Sequence, residues 1–140
     1  KDWQQLAVIR RMARDLDLTQ PHVEAIHGVP IVREADGLAM SSRNAYLSPE
    51  RRASAAALPA AMRDAIAAIS AGAEVSRALG NLHDALLVGG FDSIDYAELR
   101  GAESLVPLDQ ATANARLFVA ARIGGTRLID NMALSGEKHG

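Results

Sequence analysis

The sequence predicts an α/β segment followed by an α+β unit, and three observations point there. An amphipathic helix leads into a short apolar stretch near the start, Ala-rich helical sequence fills the middle, and strand-like runs around a Gly-Gly pair close the chain. With 140 residues, folding would hide roughly 14,000 Å² of surface, enough for one core and about one domain.

Residues 2–16 read as a helix because Leu6, Ile9, Met12 and Leu16 recur on one face. Pro21 ends the linker that follows. Val23, Ala25, Ile26 and the run 29–32, with Gly28 and Pro30 among them, suit a buried strand and its exit. Helix then strand is half of an α/β unit, and one strand cannot make a parallel sheet, so its pairing partners are expected from outside this chain. Lys1 is not a methionine, which agrees with a chain that begins inside a fold. Residues 33–44 are polar, carry the turn dipeptide Asp36-Gly37 and show neither period, so they read as a loop.

Ser48-Pro49-Glu50 supplies a capping hydroxyl, a Pro at the first helical position and an early carboxylate, so an Ala-rich helix is expected over 49–71, with a kink at Pro59. Gly72 closes it. A second helix is expected over 74–87, with Val75, Leu79, Leu82 and Leu86 on one face, until Gly89-Gly90 stops it. Residues 93–99 alternate, placing Ile94, Tyr96 and Glu98 on one side, and the runs 117–123 and 126–132 flank Gly124-Gly125, a hairpin signal. Three antiparallel strands result. Residues 101–114 are a mixed loop, and 135–140 a polar end expected to be disordered.

The charge balance, 15 Lys+Arg against 17 Asp+Glu for a net −2, argues against a general nucleic-acid binder. No apolar run reaches about 18 residues and no basic-then-apolar leader is present, so a cytoplasmic chain without a membrane anchor is expected. The absence of Cys excludes disulfides, thiolate catalysis and Cys-held zinc. His22, His27, His83 and His139 do not pair at metal-ligand spacing, and no metal site or catalytic side chain is assigned.

The residues with most chemistry are Lys1, Asp2 and Gln5, and the loop Met40-Ser41-Ser42-Arg43-Asn44. Positions 1, 2 and 5 gather at a helix start, where unpaired amides and the dipole favour an anion, and Lys1 adds a full charge. Two hydroxyls followed by a guanidinium offer short donors and a planar fork suited to polyphosphate oxygens. On the residues alone, a solvated turn and a capped, exposed helix start remain the more frequent meanings of these patterns.

Taken in order, the stretches 1–6 (Lys1-Asp2-Trp3-Gln4-Gln5-Leu6), 28–33 (Gly28-Val29-Pro30-Ile31-Val32-Arg33), 36–44 (Asp36-Gly37 through Arg43-Asn44) and 127–131 (Arg127-Leu128-Ile129-Asp130-Asn131) resemble the pantoate–β-alanine ligase family. The resemblance covers about residues 1–134 and corresponds to the C-terminal half of the family's sequence. It implies that 1–32 end a Rossmann-type nucleotidyltransferase domain and that 33–134 form a lid of two helices and a three-stranded antiparallel sheet. It also implies ATP-dependent condensation of pantoate with β-alanine through a pantoyl adenylate, releasing pyrophosphate and AMP. ATP would be a substrate, with Mg²⁺ held mainly by the nucleotide, and the family is usually homo-oligomeric. By resemblance, Lys1 serves the phosphate or adenylate, Asp2 the ribose and Gln5 pantoate. Ser41, Ser42 and Arg43 hold the triphosphate, and the backbones of Val32 and Met40 border the adenine. Asp130-Asn131 is assigned to strand packing. The family's His-x-Gly-His-type motif is absent, so this chain is expected to be inactive alone. The competing expectation is a non-catalytic association module that does not bind nucleotide by itself.

Overall fold

The computed structural model of the chain describes residues 2–15 and 28–134, so Lys1, the linker and the first half of the expected strand at 23–32, and the polar end at 135–140 lie outside the described residues. Helix α1 (Trp3–Asp15) starts at Asp2, whose Oδ1 accepts from the Gln5 amide at 2.9 Å and so satisfies one of the donors a first turn leaves unpaired. Its predicted apolar face is only partly covered, Ile9 being 39% and Met12 51% exposed. The reason is that α1 meets the rest of the described chain through its first turn and through Gly28, which backs onto Leu6.

The expectation of a buried strand fails for its described part. Residues 28–32 form no strand, and Val29 and Val32 are exposed. No neighbouring strand pairs with them among the described residues, and backbone pairing begins only at the Arg33–Ala39 bridge.

The single helix expected over 49–71 is two: α2 (Pro49–Ala55) and α3 (Ala57–Ser70). Pro59 accounts for the break. It has no N–H for the Ala55 carbonyl and its ring crowds that oxygen, so the chain parts at Ala56 and leaves Pro59 in the first turn of α3, where no donor is missed. Helix α4 (Val75–Val88) follows within a residue of the predicted bounds. The C-terminal unit thus carries three α-helices rather than two.

Strands β1 (Ser93–Gly101), β2 (Ala115–Ile123) and β3 (Thr126–Ala133) form an antiparallel sheet in the order β1-β2-β3. Gly124 and Gly125 turn the β2–β3 hairpin with φ of +56° and +80°, the pair of positive angles that only glycine adopts without strain. One face of the sheet, with Leu99, Leu117, Val119, Ala121 and Leu128, packs on α3 and α4 to make the core. The other face carries Tyr96, Arg116, Phe118 and Ile129, and the first turn of α1 lies against it.

The predicted side assignment in β1 is corrected by a bulge. Ile94 pairs with Ala121 and Tyr96 with Ala120, so the extra residue, Asp95, sends Ile94 to the core face and Tyr96 and Glu98 to the outer one. Its carboxylate accepts from Arg127 Nε at 2.7 Å and Arg122 Nε at 3.2 Å, which gives the bulge its own ion-pair cluster. Among the described residues, no helix is long and apolar enough to cross a membrane.

Candidate functional site

Residues 32–40 fold back on themselves as a miniature hairpin. The Met40 amide donates to the Val32 carbonyl at 2.9 Å and the Glu34 amide to the Leu38 carbonyl at 2.8 Å. The predicted Asp36-Gly37 turn is at the tip: Gly37 sits at φ +90°, and Asp36 Oδ1 accepts from the Leu38 amide at 3.2 Å. Arg52 clamps Asp36 from α2 with bonds of 2.7 and 3.1 Å, and this pairing holds the Asp36 carboxyl below the usual carboxylate range while raising the Arg52 guanidinium. Leu38 and Ala39 are buried beneath the hairpin, whereas Val32 (63%) and Met40 (48%) stay exposed side by side. The Val32 amide and the Met40 carbonyl have no hydrogen-bond partner among the described residues.

The hairpin runs directly into a 3-10 turn, Ser42–Tyr46. Ser41 Oγ caps it, accepting from the Arg43 amide at 3.2 Å, and Asn44 Nδ2 ties it back to the Ala39 carbonyl at 3.1 Å. The guanidinium of Arg43 makes one long contact, 3.4 Å to the Arg127 carbonyl on β3. Ser42 and Arg43 are exposed, so hydroxyl and guanidinium are presented rather than packed.

At the start of α1, Asp2 and Gln5 are exposed on either side of Trp3. Trp3 anchors the helix: its Nε1–H donates to the Ala102 carbonyl at 2.5 Å, and the Arg116 guanidinium lies 4.0 Å from the ring centroid. A small open cleft between this turn and the sheet is lined by Asp2, Trp3, Tyr96, Phe118 and Asn131 among others.

Two polar systems fix these pieces to the sheet. Arg116 Nε donates to Asn131 Oδ1 at 2.7 Å, both side chains being buried. Arg33 meets Asp130 through bonds of 2.7 and 2.9 Å and adds contacts to the Gly37 carbonyl at 3.1 Å and the Asn131 carbonyl at 3.4 Å. Of the residues singled out from sequence, Val32, Met40, Ser41, Ser42 and Arg43 therefore share one continuous hairpin and turn, Asp2 and Gln5 share one helix start, and Lys1 is outside the described residues. Sequence reasoning gave no role to Arg33 or Arg116. A signal existed: Asp130 falls in step with Leu128 and Met132 on the apolar side of β3, and a carboxylate there requires a cationic partner. Among the described residues, no group of three or more His, Asp or Glu is placed to hold a metal ion.

Residues 1–133 match the family model of pantoate-beta-alanine ligase. A pantothenate synthetase of Novosphingobium aromaticivorans is 64% identical over 138 residues, 98% of this chain and 48% of that protein. One of Sphingopyxis alaskensis is 58% identical over 132 residues, 94% of this chain and 46% of that protein. The crystal structure of pantothenate synthetase from Thermus thermophilus superposes with a TM-score of 0.86 at 44% identity, over 96% of this chain and 47% of that one. The pantoate-beta-alanine ligase of Francisella tularensis, complexed with beta-gamma ATP and beta-alanine, shares the fold, with a TM-score of 0.68 at 24% identity over 98% of this chain and 42% of that one. The chain spans about half the length of the relatives it matches.

Proposed function

The chain belongs to the pantoate–β-alanine ligase family, and on that premise we propose that it supplies the C-terminal part of the ATP site of a ligase joining pantoate to β-alanine. The observation that carries this reading is the continuity of the hairpin and turn: an exposed apolar pair with an open amide and carbonyl leads within three residues to two hydroxyls and a guanidinium. A flat base fits the first part and a polyphosphate the second.

In this reading the Val32 amide and Met40 carbonyl offer one donor and one acceptor to the adenine edge. Ser41, Ser42 and Arg43 take the triphosphate, Asp2 the ribose, Gln5 pantoate, and Lys1 the phosphate or adenylate. The pantoate carboxylate attacks the α-phosphorus, a new O–P bond forms, and pyrophosphate departs with the electrons of the broken P–O bond. The amine of β-alanine then attacks the acyl carbon, loses a proton, and expels AMP. No protein nucleophile enters, so the chain's contribution is orientation of the two substrates and stabilisation of charge growing on phosphoryl oxygens. Mg²⁺ would arrive on the nucleotide.

Residues 1–32 would complete a Rossmann-type domain and 33–134 would close over it as a lid, with closure carried by the hairpin and its exposed loop. The whole protein would be a cytoplasmic homo-oligomer. The second reading, an association module without nucleotide affinity, draws on the exposed Val8, Ile9, Met12 and Val29. Combining the chain with the N-terminal half of the Novosphingobium relative, pantoate, ATP and β-alanine separates the two. AMP release that requires both halves supports the ligase, and absence of AMP from an assembled mixture refutes it.

A further inference from the structure

Asp130 and Asn131 are neighbours in β3, so their side chains leave the strand toward opposite faces of the sheet. Asp130 pairs in register with Val119 on the helix-covered face, and Asn131 with Phe118 on the outer face. Each grips a different piece of the proposed site. Asp130 holds the hairpin through Arg33, and Asn131 holds the start of α1 through Arg116 and the Trp3 ring above which Arg116 lies.

We infer that this dipeptide is a positioning joint, in which Asp130 orients the hairpin carrying Val32, Met40 and the Ser41–Arg43 loop, while Asn131 separately orients the α1 turn carrying Asp2 and Gln5. The substrate side of the inference rests on the ligase reading. The geometric side rests on how each piece is held. A bidentate guanidinium–carboxylate pair fixes direction as well as distance, and Arg33 extends the grip to the Gly37 carbonyl at the hairpin tip. A lysine in its place retains the charge but contacts at one point. On the other face, Trp3 is the residue through which α1 is both hydrogen-bonded and stacked, and Arg116 transmits that contact to Asn131. None of the five, Asp130, Arg33, Asn131, Arg116 and Trp3, is assigned to substrate, so all act through the backbone they orient.

The test uses two matched substitutions, Arg33→Lys and Arg116→Lys, with Trp3→Leu as a milder second variant on the α1 side. Hydrogen exchange on the 140-residue chain reads the joint without ligand. Arg33→Lys should speed exchange of the Glu34 and Met40 amides about tenfold and leave Gln5 and Leu6 unchanged. Arg116→Lys and Trp3→Leu should give the reverse. Acceleration of both regions together by either arginine variant, or of neither, overturns the inference. In a fusion with the N-terminal half of the Novosphingobium relative, Arg33→Lys should raise the KM for ATP about tenfold with the KM for pantoate unchanged, whereas Arg116→Lys, which loosens the turn carrying both Asp2 and Gln5, should raise the KM for pantoate along with that for ATP. Equal effects of Arg33→Lys on both constants, the signature of plain destabilisation, or an Arg116→Lys variant with the KM for pantoate unchanged, also overturn it. If the unsubstituted fusion makes no AMP, the ligase reading falls and the exchange pattern alone decides the joint.

Discussion

Arg33 and Asp130, 97 positions apart, meet in two hydrogen bonds of 2.7 and 2.9 Å, the Asp130 side chain fully buried and the Arg33 side chain 24% exposed. With the carboxylate out of reach of water, removing the arginine strands a charge in the core. Arg33→Ala should therefore destabilise the chain by roughly 3–5 kcal/mol, measured by urea unfolding, whereas a value under about 1 kcal/mol would show that the pair is solvated.

A smaller change tests the anchoring of α1. Trp3→Phe keeps a ring beneath Arg116 but removes the N–H that reaches the Ala102 carbonyl at 2.5 Å. The expected cost is about 1 kcal/mol, with faster exchange confined to α1. Exchange that rises equally in the β2–β3 hairpin would contradict the assignment.

Gly37 fixes the hairpin tip with φ +90°, and an added Cβ would lie 2.9 Å from Nη1 of Arg63. The arginine can move aside, but the backbone angle cannot relax without opening the turn. Gly37→Ala should cost roughly 1–2 kcal/mol and weaken nucleotide binding, both read in one thermal-shift titration. A variant as stable as the parent would show that the turn flips freely.

Acid should act through the surface carboxylates. Arg52 holds Asp36, and Arg127 with Arg122 holds Asp95, below the ordinary carboxylate value of 3.8. A carboxyl depressed in the folded state stabilises fully above its unfolded pKa, and that share is lost as pH falls through the folded value. Asp36→Asn should thus lower stability at pH 7 by no more than about 1 kcal/mol, since the pair is partly solvated, and the difference should vanish in strong acid. A gap that persists below the folded value would assign the effect to packing instead.

The legible parts of the fold were those with a strong local cause. Gly124-Gly125 determines its own hairpin, Ser48-Pro49 its own helix start, and Asp36-Gly37 its own turn. What escaped needed partners distant in sequence or a subtler backbone rule. The bulge at Asp95 leaves the alternation of Ile94 and Tyr96 looking regular until the register with β2 is seen. The break at Ala56 follows from Pro59, yet its effect appears a full turn upstream of the proline, at the carbonyl left without a donor. The candidate site divided in the same way. Residue chemistry marked the Ser41–Arg43 loop only as a polar, exposed turn, and its proposed nucleotide role comes from the family resemblance, whereas Arg33, Arg116 and Trp3 became anchors only once β3 brought Asp130 and Asn131 beside them.

The most direct measurement is calorimetric titration of this chain with ATP, alongside Arg43→Ala. A hairpin and loop that form part of a nucleotide site predict heat with a Kd near the millimolar range, corresponding to about −4 kcal/mol, and at least about a fivefold weakening in the variant. No heat at several millimolar ATP, or equal affinity in the two proteins, would contradict the account.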